Sequence, residues 1–205
     1  MRSYQPQYLI SCHGPFLKGK DVIEERLSIY RDAIQFIHDY AIRGANAGKT
    51  PDELVEEFEY PPFFLESYDL EEKYGKVSWS IRNVYNGYLG FFDGRAVNLE
   101  PLSKKKRARH IFELIGSKEQ LIEQINKANN SSNYQWAAEL SDIGLLNFPN
   151  DKDIKNLYSE SLENLSLIEK NPIARNYYLS EAYELSGKIT PSLEYSISAE
   201  QAKNI

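Results

Sequence analysis

The chain has 205 residues, 41% of them apolar and 26% charged, and a formal net charge of −6. That is length for one ordinary domain or two small ones, in a composition that argues against wholesale disorder. The acidic balance disfavours nucleic acid as a partner. No apolar run approaches bilayer length, so no membrane span is expected, and the N-terminus lacks the apolar core of a signal peptide. Cys12 is the one cysteine, so no internal disulfide exists and the chain reads as cytoplasmic. Fifteen tyrosines and nine phenylalanines suit either an aromatic core with a wet rim or a large partner surface.

In chain order, Tyr8, Leu9 and Ile10 make a short apolar run that ends at Ser11-Cys12-His13-Gly14 and breaks at Pro15. A strand of this kind delivers a ligand to the rim of a metal site. With almost no sequence before it, it reads as an orphan strand, either mobile or paired with something. Next, Ile23, Leu27, Tyr30, Ile34, Ile37 and Ala41 recur in steps of four and three, the stripe of one long helix. Asp21 with Glu24 suits its N-cap, and Gly44 to Gly48 its end. Thr50, Pro51 and Glu53 spell a capping box for a helix carrying Leu54, Val55 and Phe58, which stops at Pro61-Pro62. From Glu71 onward, Val77, Ile81, Val84, Tyr85 and Tyr88 recur at helical spacing until Gly90 and Gly94. That helix is too aromatic for an exposed surface, so it packs in the core or faces a partner.

Beyond Pro101 the pattern is a series of short helices. Ser103 opens one with Ile111, Phe112 and Ile115 inside. Its basic run, Lys104 to Arg107 with Arg109, opposes the helix dipole and reads as a solvated face. Ser117 with Gln120 caps a helix holding Leu121, Ile122, Ile125 and Ala128. Tyr134, Trp136, Ala137 and Leu140 belong to another, which halts at Pro149-Asn150. Asp151 or Asp153 caps the helix of Ile154, Leu157, Leu162 and Leu165. Asn171-Pro172 opens the last, with Tyr177, Tyr178, Ala182 and Leu185 before Gly187. An aromatic helix, "FPND" and a second amphipathic helix make one helical-hairpin repeat, with no second copy at a fixed period. The expected fold class is all-α: a bundle of helical hairpins with a TPR-like C-terminal half, preceded by one short orphan strand.

The chemistry on offer is sparse. The three histidines are His13, His38 and His110, with no H-x-H, no H-E-x-x-H and no paired-cysteine spacing. His38 sits beside Asp39 in the long helix and reads as a packed, hydrogen-bonded side chain; His110 follows the basic run and reads as exposed. His13 alone does not hold a catalytic metal, so no cofactor is expected for this chain by itself. There is no nucleophile elbow, phosphate loop or dinucleotide fingerprint, and the carboxylate pairs are ordinary solvated faces.

Six segments together resemble the linear alkylsulfatases of the metallo-β-lactamase superfamily. They are "HGPFLKG" at His13, "YRDAIQFIHD" at Tyr30, "NAGKTPDELVE" at Asn46, "YGKVSWSIRNVYNGYLGFFDG" at Tyr74, "NYQWAAEL" at Asn133 and "ARNYYLSEAYEL" at Ala174. The Tyr74 to Gly94 block is the most specific, since no generic helix rule demands it. The resemblance implies a C-terminal fragment of such a protein: residues 1–15 as a remnant of the last catalytic-domain strand, 16–187 as the helical dimerisation domain and 188–205 as a tail. In that family an αββα domain holds two zinc ions, and the helical domain after it forms an intertwined dimer that caps the active site. The HxHxDH motif is missing here, which implies a chain that is not catalytic alone. His13 matches the family's last zinc ligand by type, whereas spacing from Pro15 puts Cys12 in that slot; either would be a single vestigial ligand. Asn83, Tyr85 and Tyr88 are the carried-over candidates for substrate binding.

The expectation is a homodimerising domain of an alkylsulfatase-like protein. One alternative is a split sulfatase subunit completed by a separate metallo-β-lactamase catalytic domain. Another is a free-standing helical-repeat adaptor using the concave face near Trp136 and Tyr178. A truncated gene without present function is the fourth reading.

Overall fold

The structure is a computed structural model that describes residues 2–189. The described residues fall into two compact units, divided between Pro101 and Leu102. The tail expected over 188–205 lies almost wholly outside the described residues.

The first unit opens with a hairpin. Strand β1 (Tyr8–Leu9) pairs antiparallel with β2 (Leu17–Lys18), Tyr8 opposite Lys18 and Leu9 opposite Leu17. The expected strand is therefore present but not an orphan. Gly14, at φ 85°, helps the chain reverse, and the Lys18 ammonium lies 5.8 Å from the centre of the Tyr8 ring.

Helix α1 (Lys20–Asn46) follows, and its N-terminus corrects the expected cap. Gly19 holds the N-cap position without any side-chain cap bond, and Asp21 lies in the first turn. Glu24 is drawn away to Arg2. The buried residues of α1 are Ile23, Ala33, Ile37 and Ala41. Tyr30 and Ile34, expected on the same stripe, are 52% and 56% exposed. The apolar stripe of α1 is thus longer than the core it faces.

Thr50 opens α2 (Pro51–Glu56) with the expected box: its hydroxyl accepts from the Glu53 N–H at 3.3 Å, and Glu53 accepts from the Thr50 N–H at 2.8 Å. Pro62 then starts a one-turn helix, α3 (Pro62–Leu65), where the sequence suggests only a stop. Helix α4 (Val77–Leu89) begins at Val77, the first residue of the expected stripe, and Glu72 accepts the Val77 N–H from outside the helix at 2.7 Å. Ile37, Ala41, Leu54, Ile81 and Tyr85 form the core between α1, α2 and α4. Beside it Phe36, Phe58, Tyr60 and Phe64 pack at ring separations of 5.0–6.5 Å.

The second unit is built of α5 (Lys104–Ile115), α6 (Lys118–Asn130), α7 (Tyr134–Asn147), α8 (Lys152–Ile168) and α9 (Pro172–Leu185). Ser103, Ser117, Asp151 and Asn171 cap four of them, each side chain accepting from N–H groups of the first turn. From α6 on, successive helices pack against one another, while α5 lies against α7. Leu121, Ile125, Ala137, Leu140 and Ile154 make one core, and Ala138, Leu162, Leu165 and Ala182 the next. A Cβ at Gly144 would lie 3.0 Å from Ile154, so glycine there permits the close approach of α7 and α8. The architecture is the all-helical bundle with packed helix-hairpin repeats that the pattern implies.

Two stability outcomes follow from this packing. A Cβ at Gly44 would lie 2.1 Å from Leu54 Cδ2, and Leu54 is fully buried. Gly44→Ala therefore lowers stability by about 1–3 kcal/mol despite alanine's better helix propensity. Leu54→Ala costs about 2–5 kcal/mol, and the double variant costs less than the sum, as denaturant titration will read. The second outcome concerns Asp151, whose carboxyl is held below its ordinary range first by Lys118, at 2.8 Å, and then by the Ile154 N–H. A carboxyl depressed in the folded state stabilises above its unfolded pKa, about 3.9, and that contribution is lost as pH falls through the folded value. Asp151→Asn should cost about 1 kcal/mol at neutral pH and flatten the loss of stability below pH about 4 in acid-melting curves.

Candidate functional site

The end of β1 turns through Cys12 and His13, both exposed. The His13 ring lies 5.1 Å from that of Tyr74. Beneath the pair is a cavity of about 490 Å³, walled by Tyr30 and Ile34 of α1, by Tyr60, Asp69 and Tyr74, and by Val77 and Ser80 of α4. A second cavity, about 440 Å³, shares His13, Tyr30 and Asp69 with it and adds Cys12, Leu27 and Arg26. Arg26 is paired with Asp69. The hollow therefore combines an aromatic and aliphatic floor with a charged rim: Glu71 and Lys73, an ion pair at 3.2 Å, line the first cavity, and Arg26 with Asp69 lines the second.

Asn83, Tyr85 and Tyr88 lie farther along α4, and none of the three lines this hollow. Tyr85, 4% exposed, is part of the core between α1 and α4. Asn83 is exposed, and so is Tyr88, whose hydroxyl meets His38 Nε2 at 3.0 Å. His38 is half-buried and hydrogen-bonded as expected, its Nδ1 3.1 Å from Asp39 Oδ1. His110 is exposed beside Glu113.

In the second unit a groove of about 390 Å³ runs between α5, α7, α8 and α9. Tyr178 lines it, together with Tyr158, Leu162 and Leu165, whereas Trp136 does not. Burial, with Glu181 and Asp142 alongside, pushes the Tyr158 hydroxyl well above the usual phenol range, so it stays a neutral hydrogen-bond donor.

Among the described residues no group of three or more His, Cys, Asp or Glu side chains is placed to hold a metal ion. The described residues therefore do not fit a two-zinc centre. What sequence reasoning missed is the grouping around His13: Tyr30 and Tyr74 stand in segments already singled out, but nothing in the sequence brings them together with Asp69 in one hollow. The one legible signal was the surplus of tyrosine.

An all-helical module whose apolar faces exceed its own cores has the character of an association domain. The alkyl sulfatase dimerisation family matches residues 50–188, and the chain belongs to that family. It is 36% identical over 207 residues to a linear primary-alkylsulfatase of Pseudomonas sp. (strain ATCC 19151), an alignment taking in all of this chain and 38% of that protein. It is 30% identical over 178 residues to an (R)-specific secondary-alkylsulfatase of Pseudomonas sp., covering 86% of this chain and 27% of the relative. The solved structure of the stereoselective inverting sec-alkylsulfatase Pisa1 from Pseudomonas sp. superposes with a TM-score of 0.86 at 28% identity, over 90% of this chain and 29% of that one. The chain thus spans well under half the length of these relatives. It is a dimerisation module of an alkylsulfatase-like protein, with no metal-binding cluster among its described residues.

With no such cluster, zinc has little to hold: neither added zinc nor EDTA should move the melting temperature of the purified chain beyond experimental scatter.

Proposed function

We propose that the chain self-associates as a homodimer and thereby builds the helical scaffold on which a zinc-dependent alkyl sulfate ester hydrolase operates. The observation that carries this reading is the apolar stripe of α1, which runs on beyond the core. Tyr30 and Ile34 stay exposed on the same stripe that buries Ile23, Ile37 and Ala41, Val22 is exposed beside it, and α4 adds exposed Trp79, Tyr88 and Leu89. Apolar surface of this kind costs free energy until a partner covers it, and an isologous contact between two copies covers both at once.

In this reading residues 16–187 are the dimerisation domain, 1–15 belong with the last strand of a metallo-β-lactamase-type catalytic domain, and 188–205 are a tail. The two zinc ions of the family would sit on that catalytic domain, with Cys12 or His13 at most a single vestigial ligand. Asn83 and Tyr88, both exposed, would lend polar and aromatic groups to the substrate pocket, whereas Tyr85 belongs to the core. The compartment is the cytoplasm, which suits a free, exposed Cys12. The aromatic hollow at His13 favours one companion reading, in which a separate catalytic domain docks there and completes a split enzyme.

Light scattering across a concentration series, with zinc added and withheld, tests the main reading. A zinc-independent dimer is expected. Ile34→Glu, at a position already exposed, should leave the fold intact and weaken the dimer by at least about tenfold. A wild-type chain that stays monomeric sinks self-association. A dimer indifferent to Ile34→Glu removes α1 from the interface.

A further inference from the structure

The first turn of α5 is crowded with cations. Lys104, Lys105, Lys106 and Arg107 stand there in succession, where the helix dipole disfavours positive charge. All four are exposed, and among the described residues none of them enters an ion pair. Two of the four share a purpose with their neighbours. Lys104, Arg107, Ala108 and Ile111 follow the spacing of one helix face, and all of them line the groove of about 390 Å³ between α5, α7, α8 and α9.

The floor of this groove is apolar and kept open by small side chains. Ala108 and Ala138 are 2% and 5% exposed, and Leu162 and Leu165 lie buried beside them. Larger residues at the two alanines would fill the space. With alanine there, a hollow in the size range of ligand pockets, roughly 300–1,000 Å³, reaches down to the core shared by α7, α8 and α9.

The rim carries both signs of charge. Its cations come from α5, and its open carboxylates are Asp142 of α7 and Glu181 of α9. A third carboxylate, Glu139, accepts from the Gln135 amide at 2.9 Å. Asp142 and Glu181 stand beside the Tyr158 hydroxyl, and neither enters an ion pair among the described residues. Tyr158 and Tyr178 add aromatic faces on which a cation can rest. Opposite charges thus line one groove without neutralising each other. A ligand of a single sign is repelled by one set, whereas a ligand with both signs pairs with each. An apolar floor inside a polar rim is also the anatomy of a protein docking site.

We propose that the groove of the second unit is a docking site for a segment of a partner protein that carries a carboxylate and a cation on either side of an apolar side chain. The apolar group enters between Ala108 and Ala138, the carboxylate meets Lys104 and Arg107, and the cation meets Asp142 and Glu181. Side chains one turn apart on a helix present such a set together, so the mode is a helix laid in a groove. This use is separate from self-association through α1 and goes beyond it.

The test uses the whole chain and a short alanine-based helical peptide, acetylated and amidated, with glutamate, leucine and lysine one turn apart on a single face. The peptide is made in both residue orders, because the groove sets the direction. Binding is followed by NMR at the ring protons of Tyr158 and Tyr178, with Tyr40 in the core of the first unit as control. One order should shift both groove tyrosines with half-saturation below about 1 mM. Alanine in place of the peptide's leucine should weaken binding about tenfold or more. Lys104→Gln with Arg107→Gln should weaken it about three- to tenfold. Glutamine in place of the peptide's glutamate should cost the wild-type chain the same factor and cost the double variant nothing. Because that variant relieves the α5 dipole, its melting temperature should not fall, which separates lost binding from lost fold.

Failure of both peptide orders to move Tyr158 and Tyr178 at about 1 mM, or binding indifferent to the double variant, overturns the proposal. NMR contacts in the free chain from Tyr158 or Tyr178 to residues 190–205 would give the groove to the chain's own end, and a dimer that dissociates in the double variant would give it to a second copy. Either result overturns the proposal as well. The α1 interface is read separately through Ile34→Glu, so the two readings fail independently.

Discussion

Helix α1 has to satisfy more neighbours than one small core provides. At 27 residues it is about 40 Å long, and its apolar stripe is longer than the core packed against it, so Tyr30 and Ile34 on that stripe stay exposed. The hairpin of β1 and β2 lies along its N-terminal half, and α2 and α4 pack on its C-terminal half. Ile37, Ala41, Leu54, Ile81 and Tyr85 bury one side, while Tyr30 and Ile34 remain outside it. The first unit is arranged around this helix, and its uncovered side supplies a wall of the His13 hollow. Packing and association are two uses of one surplus of apolar surface.

The second unit solves a different problem with more regular means. Its helices are short, so each depends on a good cap and on its neighbours rather than on intrinsic helicity. Ser103, Ser117, Asp151 and Asn171 provide the caps. Small residues, Ala137, Ala138, Gly144 and Ala182, let the axes approach. Lys118 to Asp151 ties the start of α6 to the start of α8. Lys104 to Arg107 stand at the start of α5, where the helix dipole repels them; their exposure to solvent limits that cost.

Polar chemistry in the first unit is concentrated where α1 and α4 meet solvent. Tyr85 and Tyr88 are three residues apart on one helix, yet the first is core and the second is open and bonded to His38. That contrast separates structural aromatic residues from those available to a ligand or a partner chain, a distinction that composition blurs. His13 and Cys12 occupy an exposed turn beside Tyr74, and among the described residues no group of three or more metal-ligating side chains forms there.

Much of the architecture was legible because it is local. The helical periods, the Thr50 capping box, the caps at Ser103, Ser117 and Asn171 and the Pro149-Asn150 break depend on residues within a few positions of one another, and the dimerisation family was legible in the Tyr74 to Gly94 block. The start of α4 at Val77 is local in the same way, with Glu72 accepting the Val77 N–H just ahead of the helix. The Asp21 cap failed because Glu24 bonds Arg2, 22 residues away. The strand at Tyr8 found its partner only across the Gly14 reversal. By itself the sequence determined the helices, most of their caps and the family, since short-range sterics and hydrogen bonds set these. Which tyrosine is buried, which side of α1 is left uncovered, and that His38 meets Tyr88 were decided only by tertiary structure, because each depends on how distant helices share a limited core.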